Sequence, residues 1–247
     1  MKLRLLSYNI RFGGLGREPA LVKTIAAAAP DVVLFQEATR PDVIARLAAA
    51  TGMTAWAATP AHSVGFMSRL PVKDHAWHRP RGSRRALLEL ALEGTETRLF
   101  GVHLTAVHSN WTERRRMREL TAMLAAIEKH REGFHVLAGD FNTLAPGETL
   151  DLRLLPRRLQ FVALLSGPTI RWRTIPIMLD AGYRDGYRSL HPQDDGHTFP
   201  TWAPHVRLDF VFVPGAAAAR LESCEVVKGA DAAAASDHFP LLAVVDA

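Results

Sequence analysis

Eight short apolar runs recur along the chain, and they constrain the fold more than any other feature. Each run has the length of a strand, and several are rich in β-branched or aromatic residues. The runs are Leu3–Tyr8, Val32–Gln36, Val64–Ser68, Leu87–Leu92, Leu99–Leu104, His135–Ala138, Leu208–Val213 and Leu241–Val245. Helical stretches separate several of them early on, and the end of the chain is rich in strands. This order predicts a layered α/β fold.

Three helices are predicted between the runs: Ala20–Ala29, which Pro30 ends, Asp42–Ala50 and the long stretch Asn110–His130. Apolar residues of the long stretch repeat at helical spacing, at Met117, Leu120, Leu124 and Ile127. This periodicity predicts a buried stripe with a charged face opposite it. Asn110 and Glu113, three residues apart, resemble a capping box.

The segment Thr143–Leu179 fits neither pattern. It carries five arginines among large apolar residues: Arg153, Arg157, Arg158, Arg171 and Arg173. One interpretation is an insertion of two short helices with a turn at Gly167–Pro168. Packing over a sheet edge is one role for it, and a lid that faces substrate or touches a membrane is another.

The size and charge of the chain limit its class. Its 247 residues, 48% of them hydrophobic, suit one domain over residues 1–247, with two smaller domains as the alternative. A net charge of +5 favours anionic partners such as phosphate esters, nucleic acid or acidic lipid headgroups. The single cysteine, Cys224, excludes an intrachain disulfide and a four-cysteine metal site, and we expect it to be a buried thiol.

The opening residues do not resemble a secretion signal. The apolar core of "MKLRLLSYNIRFGG" is short and is interrupted by Arg4. No apolar stretch of the sequence is long enough for a transmembrane segment. We therefore expect a cytoplasmic protein, and a monomer by default because nothing in the sequence indicates an oligomer.

Polar residues with chemical potential follow four of the apolar runs. Asn9 follows Leu5–Tyr8, Glu37 follows Val32–Gln36 and His103 follows Leu99–Val102; Asp140 and Asn142 follow Val136–Gly139. A carboxylate or imidazole at the end of a buried strand is costly without a partner or a ligand. Strand ends of layered α/β folds also commonly carry the functional site. Each residue alone could begin a loop, but together they predict one shared site.

Asp209 lies within the strongest strand pattern of the chain, in "HVRLDFVFV". An unpaired aspartate there would be expensive, so it needs a cation, a donor or a protonated histidine. His238, in "SDHFP" just before the last apolar run, is the candidate partner. We therefore predict an Asp209–His238 pair, with Asp237 in the same pocket.

These stretches together resemble the endonuclease/exonuclease/phosphatase superfamily. The motifs "SYNIR", "FQE", "GVHL", "GDFN", "HTFPTW", "RLDFVFV" and "SDHFP" occur in the order and at about the spacing of that superfamily, from Ser7 to Pro240. The resemblance implies a four-layer sandwich of two mixed β-sheets packed face to face with helices outside. It also implies a phosphate-ester hydrolase with its site at one end of the sheets.

Carried over residue by residue, the resemblance implies a role for each polar residue. Glu37 resembles the principal ligand of Mg²⁺, with Mn²⁺ as the alternative ion, and Asp237 a further carboxylate on the metal side. Asn9 resembles a residue that orients the metal shell and the substrate. Asp140 resembles the acid that positions or deprotonates the attacking water, and Asn142 a holder of that water or of a phosphate oxygen.

The same resemblance implies roles for the remaining residues of the predicted site. His103 resembles a donor to a non-bridging phosphate oxygen. Asp209 and His238 resemble a carboxylate–imidazole pair that meets developing negative charge. The stretch after "GVHL" reads "VHSNWTERRR", unlike abasic-site enzymes, and "FPTWAPHVRLD" is unlike inositol phosphatases. The substrate is therefore unassigned.

Three functions remain open at this point. The first is a magnesium-dependent phosphodiesterase or phosphatase. The second is a nuclease, because the stretch Ser68–Arg85 holds basic residues, among them Arg84 and Arg85, that could bind a phosphate backbone. The third is a non-catalytic module that binds phosphorylated ligands or proteins. The five residues Glu37, Asp140, Asn142, Asp209 and His238 argue against the third, since a binding module does not need them all.

Overall fold

Two six-stranded β-sheets form the centre of the protein. The computed structural model describes residues 1–155, 157–167 and 169–247. The first sheet contains β1 (Lys2–Asn9), β2 (Val32–Gln36), β3 (Ala55–Ala57), β4 (Val64–Ser68), β11 (Leu221–Val226) and β12 (Leu241–Asp246). The second contains β5 (Val72–His78), β6 (Leu87–Leu92), β7 (Arg98–His103), β8 (His135–Asp140), β9 (Tyr183–Asp185) and β10 (Asp209–Pro214).

Both sheets are mixed. Their strand orders are β11-β12-β1-β2-β4-β3 and β5-β6-β7-β8-β10-β9. In each sheet one central pair is parallel, β1 with β2 and β7 with β8, and the neighbouring pairs are antiparallel. Parallel central strands end at the same edge of a sheet, and the antiparallel strands next to them begin there.

The helices are α1 (Glu18–Ala28), α2 (Pro41–Thr51), α3 (Asn110–Ile127), α4 (Arg157–Leu165), α5 (Thr174–Asp180), α6 (Gly186–Leu190) and α7 (Ala230–Ala235). Leucines and valines of both sheets form one buried cluster between the sheets. A second cluster joins α1 and α2 to the outer face of the first sheet, and a third joins α3 and α5 to the second. The predicted four-layer sandwich is confirmed.

All eight apolar runs are strands, to within two residues at each end. The three predicted helices are also present. Ala29 adopts a left-handed conformation that caps α1 just before Pro30. Cys224 is fully buried, as predicted. Of the helices in the described part of the chain, none combines the length and hydropathy that a bilayer crossing requires.

The start of α3 differs from the predicted capping box. Ser109, not Asn110, is the N-cap, and its partner is Thr112: each side chain accepts a hydrogen bond from the other's backbone N–H. Glu113 is buried and turns inward. Its carboxylate accepts hydrogen bonds from the guanidinium of Arg116 and the backbone N–H groups of Arg173 and Thr174.

The predicted charged face of α3 is therefore partly wrong. Glu113, Arg116 and Glu119 are all buried, because they fix the loops on either side of the helix. Glu119 accepts from the backbone N–H and hydroxyl of Thr105, and Arg116 donates to the carbonyl oxygens of Thr105 and Val107. Helical periodicity cannot distinguish such a buried polar face from a solvated one.

Glu113→Gln is expected to lower the free energy of unfolding by about 1.5–3 kcal/mol, because buried hydrogen bonds to a charged group are lost. Urea unfolding measures it. Glu128→Gln is the matched control, since Glu128 pairs with Arg131 at the surface, with both side chains more than 60% exposed; a loss below about 0.5 kcal/mol is expected there. Equal losses in the two variants would contradict the buried role.

The Glu113 contribution is also expected to depend on pH. Burial alone raises the pKa of Glu113, but Arg116 and the hydrogen bonds from Arg173 and Thr174 outweigh it and hold the pKa below its usual 4.5. A lowered pKa stabilises the fold above the usual value, and this contribution is lost as the pH falls through the lowered value. The difference between wild type and Glu113→Gln is therefore expected to shrink in acid.

The segment Thr143–Leu179 contains two short helices, as its pattern predicts, α4 and α5. The predicted turn at Gly167–Pro168 includes Pro168, which lies outside the described residues. Helix α5 buries Ile175 and Met178 against the second sheet, whereas only Ala163 of α4 is buried. One half of the segment therefore packs over the sheet, and the other half does not.

The basic stretch Ser68–Arg85 is not a single loop. It contains β5, whose seven residues span roughly 20 Å at about 3.3 Å per residue. β5 runs in the direction of β7, so Arg84 and Arg85 lie in the turn at the end of the sheet where β7 ends. Arg69 and Lys73 lie at the opposite end. The interpretation of the whole stretch as one phosphate-tracking element is therefore wrong for its first half.

Candidate active site

The sheet topology brings the polar strand ends to one edge of the sandwich. β1, β2, β7 and β8 all end at this edge, with Asn9, Glu37, His103 and Asp140 at or just after their last residues. β10 runs antiparallel to β8, so its first residue, Asp209, pairs in register with Asp140. Of the predicted residues, Asn9, His103, Asp140, Asn142, Asp209 and His238 are buried together here.

Asp140 is at the centre of the hydrogen bonds at this edge. Its Oδ2 accepts from Asn9 Nδ2 and Asn142 Nδ2, both at 3.0 Å, and its Oδ1 accepts from the backbone N–H of Asn142 at 2.8 Å. Asn9 belongs to the first sheet and Asp140 to the second, so this bond joins the two sheets. Asn142 adopts a left-handed conformation with φ of 51°, which turns its amide back onto the carboxylate.

The predicted contact between Asp209 and His238 is present. His238 Nδ1 lies 2.8 Å from Asp209 Oδ2, and both residues are buried. Burial alone lowers the pKa of His238, but the carboxylates of Asp209 and Asp140 outweigh it and raise the pKa above its ordinary value. The ring is therefore an imidazolium at neutral pH, with Nε2 3.9 Å from Asp140 Oδ2.

His103 lies on the other side of Asp140. Its Nε2 is 3.7 Å from Asp140 Oδ2, and its buried Nδ1 has no hydrogen-bond partner among the described residues. Burial lowers the pKa of His103 to about 3, with a smaller effect from Arg85 and His238, so this ring is neutral. A neutral and a charged imidazole thus flank one carboxylate oxygen, each beyond hydrogen-bond distance from it.

Burial also raises the pKa of Asp140 above its ordinary value, with Asp209 adding to the effect and His238 opposing it. A carboxylate with a raised pKa is a stronger base than an exposed one. Its two oxygens are fixed by Asn9 and Asn142. The arrangement can take a proton from a molecule bound beside Asp140.

A second polypeptide segment supports the His238 loop. Thr201 donates its backbone N–H to the Asp237 carbonyl and its hydroxyl to the Ser236 carbonyl. Ser236 Oγ donates to the backbone carbonyl of Asn9 at 2.6 Å. The Phe199 ring lies 4.7 Å from the His238 ring, centroid to centroid. The residues of "HTFPTW" therefore support the loop that carries His238, a role that the motif alone does not predict.

Glu37 lies beside this cluster. It follows Gln36, the register partner of Asn9, and its carboxylate Oε2 accepts from the backbone N–H of Phe12. Glu37 has a left-handed φ of 59°, which is costly for a residue with a Cβ. Asp237 is nearby, but its Oδ2 is 3.4 Å from Arg11 Nε and so already has a cationic partner.

Two positions at this edge can hold a divalent ion. One is Glu37, whose carboxylate supplies the hard oxygen that Mg²⁺ prefers. The other is the buried group Asp140, Asp209 and His238, whose ligand atoms lie within 4.8 Å of one another; Asp209 Oδ1 is buried there without a hydrogen-bond partner among the described residues. At the second position His238 Nδ1 already contacts Asp209 Oδ2 at 2.8 Å, which leaves Nε2 as the donor atom of that ring.

Exposed aromatic residues flank the entrance. Phe12 is 75% exposed and Trp202 is 68% exposed, although both are large and apolar. The guanidinium of Arg11 lies between them, 5.6 Å from the Phe12 ring centroid and 6.0 Å from that of Trp202. The sequence predicts no role for either ring. The position of each, at the end of a site motif or directly after one, would have indicated that it lies near the site.

A family model supports the resemblance seen in the motifs. The model described as the Endonuclease/Exonuclease/phosphatase family matches residues 6–238. No curated protein matches the chain.

Solved structures share the fold. A 3′ phosphatase, NExo from Neisseria, bound to a product DNA hairpin, is 19% identical with a TM-score of 0.73, covering 99% of this chain and 100% of its own. An AP endonuclease from Archaeoglobus fulgidus is 17% identical with a TM-score of 0.73 and the same coverage. TDP2 from D. rerio, complexed with a single-strand DNA product, is 19% identical with a TM-score of 0.69, covering 100% of this chain and 99% of its own.

Proposed function

The chain belongs to the Endonuclease/Exonuclease/phosphatase family, and we propose that it is a metal-dependent phosphodiesterase in which water attacks phosphorus in line with the leaving oxygen. The observation that carries the proposal is the environment of Asp140. A buried carboxylate, fixed by two amides, faces a neutral imidazole on one side and a carboxylate-paired imidazolium on the other.

Each part of this arrangement has a role in phosphate-ester hydrolysis. Asp140 takes a proton from the attacking water, aided by its raised pKa. Asn9 and Asn142 hold its carboxylate in one orientation. His238, held by Asp209, directs positive charge at the non-bridging oxygens as their negative charge grows. His103 donates an N–H to the same phosphoryl group.

Glu37 is the residue we assign to the metal, with Asn9 beside it and Asp237 able to join if Arg11 moves away. Mg²⁺ or Mn²⁺ held there would supply charge stabilisation to the phosphoryl and leaving oxygens. The partly exposed Glu37 carboxylate accepts a hydrogen bond from the backbone N–H of Phe12 through one of its oxygens. This bond orients the carboxylate in the absence of an ion.

A nuclease is the second candidate, favoured by the surroundings of the site. Phe12 and Trp202 offer stacking surfaces for bases that are not paired, and Arg84 and Arg85 lie at the same end of the second sheet. The similar structures include proteins bound to a DNA hairpin and to single-strand DNA. DNA binding is a property of those proteins. For this chain, the similarity is a reason to test nucleic acid as a substrate.

A hydrolysis panel with and without Mg²⁺ tests the proposal. It contains bis-p-nitrophenyl phosphate, p-nitrophenyl phosphate, single- and double-stranded DNA, RNA, phosphoinositides and sphingomyelin. We expect metal-dependent cleavage of the diester over the monoester. Binding of a phosphorylated ligand with no turnover in the whole panel would favour the non-catalytic module instead.

Reversing the charge of the turn before β6 is expected to weaken binding of a polyanion selectively. In Arg84→Glu/Arg85→Glu, the KM for a single-stranded oligonucleotide is expected to rise roughly tenfold, because about two phosphate contacts are lost. The KM for bis-p-nitrophenyl phosphate is expected to stay unchanged. Steady-state kinetics at one fixed ionic strength measures both.

The matched control uses the other half of the same basic stretch. Arg69→Glu/Lys73→Glu changes the net charge by the same amount, at the opposite end of the sheets. We expect it to leave both KM values unchanged. If the two double variants behave alike, the effect is one of overall charge and the assignment of Arg84 and Arg85 fails.

A further inference from the structure

Helix α4 presents its apolar side to solvent. Phe161, Leu164 and Leu165 are 63%, 59% and 58% exposed, and Leu154, in the turn before the helix, is 56% exposed. Leu164 and Leu165 follow Phe161 by three and four residues, so these three side chains form one stripe on α4. The opposite side is mostly only half-buried, with Ala163 alone fully buried. An outward apolar stripe of this kind marks an interaction surface.

The stripe lies at the active-site end of the molecule. Asn110, the first residue of α3, donates from its amide to the carbonyl oxygens of Ser166 and Thr169, just after α4. α3 follows β7, whose last residue is His103. Trp111, the next residue along α3, is 55% exposed. A surface that covers the stripe would therefore lie at the same end of the molecule as the site.

Arginines surround the stripe. Arg157 and Arg158 are exposed on the first turn of α4. A cavity of about 170 Å³ between α3 and the following segment is lined by Arg114, Arg171 and Arg173.

In the described part of the chain, none of these five arginines forms an ion pair; Glu113, which also lines the cavity, pairs with Arg116 instead. The nearby acids Glu148 and Asp151 already pair with other arginines. The surface is thus both apolar and cationic.

We propose that α4 docks the protein on an anionic lipid bilayer. The apolar stripe enters the boundary between headgroups and acyl chains, Trp111 lies at the interface, and lipid phosphates bind Arg157, Arg158 and the arginine-lined cavity. This brings the end of the molecule that holds the active site to the membrane. The inference does not depend on the reaction proposed above.

Other occupants fit the surface less well. A nucleic acid would use the arginines, but a phosphate backbone gains nothing from three exposed aliphatic and aromatic side chains in a row on one helix. A second copy packed on the same stripe would add its own Arg157 and Arg158 to the interface without an acid to pair with them, and like charges at an interface are costly.

Flotation of the full chain with vesicles tests the proposal. We expect binding to vesicles of phosphatidylcholine with phosphatidylglycerol, and little binding to phosphatidylcholine alone. Phe161→Ser/Leu164→Ser/Leu165→Ser is expected to lower the partition coefficient roughly tenfold or more, since each side chain buries several carbons in the membrane. Trp56→Ser/Leu190→Ser, exposed elsewhere, is the control and is expected to bind as wild type.

The charge requirement is tested separately. Arg157→Gln/Arg158→Gln is expected to weaken binding to the phosphatidylglycerol vesicles and to reduce its salt dependence, whereas Arg69→Gln/Lys73→Gln leaves both unchanged. Quenching of tryptophan fluorescence by brominated lipid reports contact without altering α4. We expect quenching in wild type and markedly less in Trp111→Phe.

Three results would overturn the inference. The first is a wild-type protein that does not float with anionic vesicles. The second is a triple serine variant that loses oligonucleotide binding while it keeps vesicle binding. The third is a wild-type dimer, seen by light scattering, that the triple serine substitution converts to a monomer without any vesicle binding in wild type.

Discussion

His238→Ala and Asp209→Ala are each expected to lower turnover by on the order of 100-fold or more, because one preorganised donor aimed at developing charge is commonly worth that much. The two residues share a 2.8 Å contact between buried atoms. Without Asp209 the imidazole loses the carboxylate that raises its pKa and fixes its ring. Without His238 the carboxylate has nothing to hold.

The double variant is expected to cost little more than the worse single variant, since groups that act as one unit are not additive. kcat for bis-p-nitrophenyl phosphate, measured in all four members of the cycle, decides this. Losses that multiply would show that the two residues act independently.

His135→Ala is the matched control for stability. His135 is also a buried imidazole, with Tyr183 Oη at 2.7 Å from Nε2 and the Gly133 carbonyl oxygen at 2.9 Å from Nδ1, but it begins β8, whereas Asp140 ends it. We expect this variant to lower the free energy of unfolding and leave kcat unchanged. A comparable loss of kcat in His135→Ala would mean that the cycle measures folding and not catalysis.

Glu37→Gln is expected to weaken Mg²⁺ binding and to reduce turnover by on the order of 100-fold or more, with the fold preserved. Glutamine keeps an oxygen that can accept the Phe12 N–H, so the loop conformation has no reason to change. What is lost is the negative charge that the ion requires. Calorimetric titration with Mg²⁺ and with Mn²⁺ measures the affinity directly.

The titration also distinguishes the two possible metal positions. Asp140→Asn is expected to lower turnover while it leaves metal affinity nearly unchanged, and Glu93→Gln, exposed at the other end of the sheets, is expected to change neither. If the affinity is lost in Asp140→Asn and kept in Glu37→Gln, then the ion binds among Asp140, Asp209 and His238, and our assignment is wrong.

The strand ends explain why much of the site could be predicted from sequence. A buried strand appears in the sequence as a continuous apolar run, so the polar residues that end such runs, Asn9, His103 and Asp140, can be recognised without the structure. The topology then places these ends at one edge. Asp209 was found in the same way, as a costly charge in a strand, and its partner His238 followed because a buried carboxylate requires one.

The features that escaped prediction depend on partners far apart in the chain. Glu113 was assigned to a cap because Asn110 lies three residues before it, yet its carboxylate accepts from Thr174, 61 residues away. β5 was missed because "VKDHAWH" is a partly exposed edge strand with no apolar run. The outward stripe of α4 has the same period as a buried one, and only its exposure distinguishes the two.

The bond from Asn9 to Asp140 has a consequence for how catalysis depends on the core. It crosses from one sheet to the other at 3.0 Å, so a slide of one sheet over the other by an ångström would break it. The side chains between the sheets, such as Leu34, Leu88 and Val136, act as spacers that set this alignment. Substitutions that change the volume of these side chains should therefore lower turnover even when they lower the free energy of unfolding only slightly. Turnover is then a sensitive measure of how the two sheets are aligned.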